Sequence, residues 1–160
     1  MIRPATEADL PEIVRIYNEA IEERISTCDL EPVTVAARRP WFERFDARHP
    51  LHVAVEGDHV IGWSAILPYD PKPGYAGVVE HSLYVAREAR GAGMGRRLLE
   101  HLLHTATALG HRCTMGRIFR HNDPSLHLHR RLGFEEVGVL PRTALLDGRA
   151  ADVVIMLREL

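Results

Sequence analysis

Residues Glu80 to Arg97, EHSLYVAREARGAGMGRR, constrain this chain more than any other stretch. Leu83, Tyr84 and Val85 are apolar, β-prone residues of a strand, and Arg90-Gly91-Ala92-Gly93-Met94-Gly95 then sets three glycines within five positions. From Met94 onward, apolar residues recur at Leu98, Leu99, Leu102, Leu103, Ala106 and Leu109, which makes one face of an amphipathic helix, and Gly110 ends it. A strand that passes through a glycine turn into a helix leaves unpaired N–H donors and partial positive charge at the turn. The pattern therefore predicts a phosphate or pyrophosphate there, with Arg90, Arg96 and Arg97 adding charge. A Walker A loop would need Gly-Lys-Ser/Thr, which the chain lacks. The dinucleotide fingerprint needs G-x-G-x-x-G, and here Arg96 stands where the third glycine would fall.

The rest of the chain reads as strands and helices in alternation. Residues 2 to 4 suit a short strand. Thr6-Glu7-Ala8-Asp9 resembles a capping box, and Leu10, Ile13, Val14, Tyr17, Ala20 and Ile21 supply the face of a helix from about Glu7 to Glu23. A loop over Arg24 to Pro32 precedes a helical stretch from about Thr34 to Arg48, which Pro40 should kink or split. Leu51–Glu56 and His59–Leu67 form a hairpin around Gly57-Asp58. Pro68 to Tyr75, with three prolines, is a loop. Arg112 to Phe119 is a strand, and Asn122-Asp123-Pro124 starts a helix with Asp123 as the cap and proline at its first position. That helix runs from Ser125 to Leu132, and Phe134–Leu140 and Asp152–Leu157 are the last strands. This order predicts a mixed α/β sheet with helices on both faces.

The 160 residues suit one domain, 1–160. A net charge of −2, with no face concentrating Lys and Arg, argues against nucleic acid as a partner. No apolar run approaches the roughly 20 residues of a membrane span. The first residues lack the apolar region of a signal peptide, and two cysteines make no disulfide framework, so the cytoplasm is the expected location.

The R-x-x-G-x-G pattern of Arg90, Gly93 and Gly95 between a strand and a helix resembles the acetyl-CoA pyrophosphate loop of the GCN5-related N-acetyltransferases. The resemblance widens with Asn122, Ser125, His129 and Leu132-Gly133-Phe134, which match the N-D-x-S-x-x-x-H-x-x-L-G-F of the phosphinothricin and methionine sulfoximine acetyltransferase branch. Tyr17-Asn18, Asp29-Leu30-Glu31-Pro32, Trp41-Phe42, Gly62-Trp63, Pro71-Lys72-Pro73, Glu80-His81-Ser82 and Asp152-Val153-Val154 extend it nearly end to end. It implies the GNAT fold, a mixed sheet whose central strands splay apart, and acetyl-CoA as co-substrate for acetylation of a small primary amine. It also implies a two-fold homodimer that lends its tail loop to the neighbour.

Amide formation needs a base for the amine, a donor for the oxyanion and a proton for the departing thiolate. The resemblance assigns the base to Glu80, whose other reading is a strand-edge carboxylate paired with a nearby arginine. It assigns the acid to His129, whose other reading is a histidine that packs or orders CoA. Cofactor contacts fall to the backbone of Leu83 and Val85, to Arg90, Gly91, Gly93, Gly95 and Arg96 in the loop, and to Asn122 and Ser125. His101 and His104 share a helix face without a fixed ligand set, so no metal is expected.

The acceptor half departs from the branch. Arg-x-Thr after the Pro-Lys-Pro-x-Tyr loop becomes Ala76 and Val78 beyond Tyr75, the aromatic before Asp29 becomes Cys28, and the tail-loop Lys becomes Leu146. These changes predict an altered acceptor pocket, poor acetylation of phosphinothricin, and a larger or less anionic amine instead. A non-catalytic CoA-binding or sensor protein of the same fold is the alternative.

Overall fold

The computed structural model describes all residues from Met1 to Leu160. Strands β1 (Ile2–Pro4), β2 (Leu51–Glu56), β3 (His59–Pro68), β4 (Val78–Val85), β5 (Cys113–Phe119), β6 (Glu135–Leu146) and β7 (Arg149–Glu159) alternate with helices α1 (Leu10–Glu23), α2 (Val35–Phe42), α3 (Met94–Ala108) and α4 (Asp123–Arg131). The seven strands form one sheet in the order β1-β2-β3-β4-β5-β7-β6. Every neighbouring pair is antiparallel except β4 and β5.

That one parallel pairing shapes the molecule. It joins only Val78, Val79 and Glu80 to Cys113, Thr114 and Met115. Beyond Glu80, β4 keeps its pairing with β3 as far as Val85, and beyond Met115, β5 keeps its pairing with β7 as far as Phe119. The sheet therefore opens in the middle, with Glu80 at the vertex of the opening.

Helices fill the two faces. On one, α1 buries Ile13, Ile16, Tyr17 and Ile21 against Leu51, Val53 and Trp63. On the other, α3 lays Leu99, Leu102 and Leu103 over Ile66, Val79 and Ile118, and α4 adds Leu126. Leu98, Leu99 and Leu102 are at most 1% exposed, so each contributes about 2 kcal/mol through burial and together they fix the start of α3 against the sheet. The entry to α1 is tied to β1 through Asp9. Its carboxylate takes two hydrogen bonds from Arg3, at 2.7 and 2.8 Å, and two from the N–H and hydroxyl of Thr6. The Arg3 guanidinium in particular holds the Asp9 carboxyl at about 2.

Several boundaries differ from the sequence reading. Residues Glu7–Asp9 form a 3₁₀ turn before α1. The second helix is not a long one over Thr34 to Arg48. It starts after Thr34, whose hydroxyl caps Ala37 N–H, contains Pro40, and ends at Phe42, two residues after that missing amide donor. At α4 the cap is Asn122 rather than Asp123, because its Oδ1 accepts from Ser125 N–H at 3.2 Å, and Pro124 consequently sits at the second helical position. The last two strands are longer than predicted and close into a hairpin at Asp147-Gly148, both with positive φ. Two such residues make the turn that right-twisted strands favour, so this was a readable Asp-Gly signal.

Candidate active site

The loop before α3 carries bare backbone. Gly91 and Gly93 both adopt φ of 81°, and an added Cβ at either would meet nothing within 4 Å. The first helical amide bond is Arg97 N–H to Gly93 carbonyl at 3.1 Å, which leaves the amides of Met94, Gly95 and Arg96 without a partner inside the helix. Gly95 serves differently, since a Cβ there would touch Leu128 at 3.5 Å and Val85 at 3.8 Å. Of the three arginines expected to add charge, Arg90 is bound by Glu23 at 2.8 Å and by the Val85 carbonyl at 3.0 Å, and Arg96 by Glu100 at 2.8 Å. Arg90 thus anchors the loop to α1. Glu23 is pulled upward by partial burial, yet the hydrogen bonds from Arg87 and Arg90 hold its carboxyl below the usual range. Arg97 alone of the three has no carboxylate partner, and it borders a cavity of about 340 Å³ with Met1, Val55 and Met94.

Strand alternation settles where the amides of β4 point. Ala86 N–H donates to Ile61 carbonyl of β3 at 2.9 Å, and Val78 carbonyl accepts from Tyr69 N–H at 3.3 Å, so the even-numbered residues bond toward β3. Leu83 and Val85 point the other way, into the opening that β5 has left. Side chains alternate as well. Val79 packs under α3 and His81 against His129 of α4, while Tyr84 joins Tyr17 and Trp63 on the α1 side. Glu80 and His129 are therefore not brought together but stand on opposite faces of the sheet.

Glu80 is partly buried, its side chain 21% exposed, and its Oε2 accepts from Arg117 Nη2 of β5 at 2.6 Å. This is the arginine pairing that the sequence left open. The loop after α1 roofs the same opening. Tyr84 hydroxyl donates to Ser26 carbonyl at 3.1 Å, and Asn122 Nδ2 donates to Ile25 carbonyl at 2.9 Å. Tyr17 hydroxyl lies 2.7 Å from both Thr27 Oγ1 and Asp29 Oδ2, and burial pushes it up to about 12. The Asn122 amide is thus committed at both ends to protein partners.

His129 is 3% exposed and engaged through both ring nitrogens. Its Nδ1 lies 2.7 Å from Ser125 carbonyl, which only accepts, so Nδ1 carries the proton. Neutral His129 then accepts at Nε2, 2.9 Å from His81 Nε2, which must donate. His81 Nδ1 in turn accepts from Thr114 hydroxyl at 2.9 Å. Burial depresses both imidazoles, His81 to about 3, with the neighbouring ring adding to the effect, so the neutral chain is the stable one. A His129 tied in this way has no proton aimed at the opening, which favours the packing reading over the acid.

The expected acceptor positions are spread out. Val78 begins β4 beside Cys113, Tyr75 is 43% exposed and meets Tyr69 edge to face, and Ala76 is exposed. Cys28 is exposed as a residue, yet neighbouring atoms partly desolvate its thiol and raise it against the opposing pull of Arg117. Leu146 is 6% exposed, packed in a cluster with Phe119, Ala144 and Val153, and it also lines the cavity beside Arg149. Arg149 borders a cavity of about 630 Å³ with Glu23, Arg24, Ile25 and His121, closed at the hairpin tip by Arg24 on Asp147 at 2.8 Å. No three His, Cys, Asp or Glu side chains converge as metal ligands, and no helix is long and apolar enough to cross a membrane. In the sequence, His81 stands only within Glu80-His81-Ser82 and is given no role, and Thr114, Gly116 and Arg117 are not singled out. Arg117 did carry a signal, a charge in the middle of a strand between apolar Met115 and Ile118.

Comparison with known proteins agrees with this geometry. The Acetyltransferase (GNAT) family matches residues 10–134. The L-methionine sulfoximine/L-methionine sulfone acetyltransferase of Pseudomonas paraeruginosa is 38% identical, with 97% of this chain and 91% of that protein covered. The phosphinothricin N-acetyltransferase of Streptomyces coelicolor is 37% identical, over 95% of this chain and 91% of that one. The crystal structure of a phosphinothricin acetyltransferase from Sinorhizobium meliloti in complex with AcCoA superposes with a TM-score of 0.94 at 34% identity, covering 100% of this chain and 88% of that one. With an opened mixed sheet, a bare glycine loop on α3 and relatives matching almost its whole length, the chain belongs to the GNAT acetyltransferase family.

Proposed function

We propose that this protein is an acetyl-CoA-dependent N-acetyltransferase acting on a small primary amine, with an acceptor pocket altered from that of its phosphinothricin-type relatives. The observation that carries the reading is the opening of the sheet at Glu80, with the Leu83 and Val85 amides directed into it. Open space before Gly91 and Gly93, and the three free amides at the start of α3, suit a pyrophosphate. Acetyl-CoA supplies a thioester carbonyl to be attacked. The chain's own part is to align the reactants and handle protons. The Leu83 and Val85 amides are the donors suited to a carbonyl oxygen and an amide tail, and Glu80 takes the amine's proton directly or through one water. His129 and Ser125 position α4.

The engaged state of Glu80 favours a second reading, a CoA-binding sensor that has lost its acceptor. Acetyl-CoA binding by calorimetry, followed by CoA release over an amine panel, separates the two. Binding with turnover of at least one amine is expected, and binding with no turnover of any would favour the sensor. We further propose a single domain built on one continuous sheet, no nucleic-acid partner, a cytoplasmic location, and a two-fold homodimer. The dimer is supported by β6, an edge strand that exposes Val137 (54%), Leu140 (45%) and Leu145 (64%).

A further inference from the structure

Backbone pairing between β4 and β5 stops at Glu80 and Met115, and one residue further on the two strands are joined through side chains instead. His81 Nδ1 accepts from the Thr114 hydroxyl of β5 at 2.9 Å, and its ring lies over Gly116, the residue that would face it had the register continued. On the other side His81 Nε2 donates to His129 Nε2 of α4 at 2.9 Å, the two rings stack at 18°, and Phe134 closes the third side with its centroid at 5.2 Å. His81 is 8% exposed and Thr114 0%, so both bonds are shielded from bulk water. Resting on the acetyltransferase reading above, we infer that His81 is a positioning residue for the transfer: its bond to Thr114 sets how far apart β4 and β5 stand at the vertex, and so where Glu80 and the Leu83 amide meet the reactants.

The bond is placed where it has leverage. Glu80 is the residue before His81 and the Leu83 amide comes two residues after it, about 7 Å along the strand, so a shift of β4 at His81 moves both groups together. Beyond the vertex β3 still holds one edge of β4, but no backbone pairing to β5 holds the other. An apolar side chain would fill the same layer, among Val79, Ile118, Leu126 and Phe134, yet apolar contact has no preferred direction, whereas a hydrogen bond fixes both length and angle. That difference matters because a misplacement of about 1 Å can cost about a hundredfold in rate. The two ring nitrogens act separately. Nε2 ties β4 to α4, and Nδ1 alone joins the two strands that open.

Amide side chains separate these two links. In His81→Asn, Oδ1 stands where Nδ1 stood and can accept from Thr114; in His81→Gln, Nε2 stands where the imidazole Nε2 stood and can donate to His129, while the Thr114 hydroxyl loses its partner. Each change removes the ring and one buried bond, so a purely structural role gives similar rates for the two. Positioning instead lowers kcat about ten- to a hundredfold in His81→Gln, with the rate largely rescued in His81→Asn. Acetyl-CoA affinity by calorimetry should change little in either, because Arg90 anchors the glycine loop to Glu23 independently. Thr114→Val beside Thr114→Ser asks the same question from β5 and answers it where a His81 variant does not fold: kcat should fall in Thr114→Val and be kept in Thr114→Ser. Rates are taken on an amine that the wild type turns over, under conditions where urea unfolding shows each variant fully native. Equal kcat within either pair overturns the inference and leaves the acetyltransferase reading standing. Acetyl-CoA binding by the wild type with no turnover of any amine overturns both.

Discussion

His81 Nε2 and His129 Nε2 meet at 2.9 Å beside Gly116, where an added Cβ would fall 2.9 Å from His81 Cε1, 3.0 Å from its Nε2 and 3.6 Å from His129 Nε2. The imidazole pair occupies the space that a side chain on β5 would need. Both rings are also locked by Thr114 and Ser125, so neither swings away without stranding a buried polar atom. Gly116→Ala should therefore destabilise the protein by about 1–3 kcal/mol in urea unfolding, whereas Gly138→Ala, with nothing within 4 Å, should be near neutral. Combining Gly116→Ala with His81→Ala should cost clearly less than the sum of the two single changes; strict additivity would disprove the contact.

The same buried imidazoles set a pH limit on stability. His81 is held at about 3 and His52 at about 4, both chiefly by burial, against about 6.5 in the unfolded chain. Above 6.5 neither state is charged, and their full contribution is present. As pH falls through 6.5, the unfolded chain takes protons that the native state refuses, so stability drops by up to about 2 kcal/mol for each by pH 5. Urea unfolding at pH 7.5 and pH 5 should show this fall, and His52→Gln should lessen it; equal stability at both pH values would refute a neutral buried pair.

What the sequence disclosed and what it hid divide along physical lines. The glycine loop, α3 and the hairpin of β2 and β3 were legible because periodicity and turn chemistry are local. The short second helix and the Asn122 cap were not, since these depend on which of several competent residues finds a partner. Arg90 was legible as charge at the glycine loop, but its anchor on Glu23, 67 residues away, was not. Glu80 and His129 were readable as candidates, yet only the fold places them on opposite faces, shows Arg117 across the opening and ties His129 to His81.

The glycine loop yields a binding prediction with an internal control. Gly93→Val forces a β-branched side chain to φ of 81° and fills the open space before the α3 amides. Gly110→Val imposes the same backbone strain, at φ of 76°, beyond the far end of α3. Both should lower stability by a similar amount, but only Gly93→Val should abolish acetyl-CoA binding by calorimetry. Unchanged affinity in a folded Gly93→Val protein would remove the loop from the cofactor site.

The exposed apolar residues of β6 predict assembly. Val137, Leu140 and Leu145 lie on an edge strand whose far side has no partner within the chain. Sedimentation at micromolar concentration should report a dimer, and the paired change Leu140→Asp with Leu145→Asp should yield a monomer with little change in secondary structure. A monomeric wild type would count against the homodimer.

Glu80 gives the sharpest test of the chemistry. Glu80→Gln keeps the shape and leaves an amide oxygen that Arg117 can still approach, but removes the group able to accept the amine's proton. Turnover should fall by about a hundredfold or more, the usual worth of a positioned base, with acetyl-CoA affinity little changed because the glycine loop is elsewhere. His129→Phe should act otherwise. Its ring nitrogens face Ser125 and His81, so the loss should register in unfolding, through the stranded His81 donor, and only modestly in kcat. Steady-state rates from pH 6 to 9 beside urea unfolding for both variants resolve the two roles. Full activity in Glu80→Gln would exclude it as the base, and a rate loss in His129→Phe as deep as that of Glu80→Gln would return the imidazole to the chemistry.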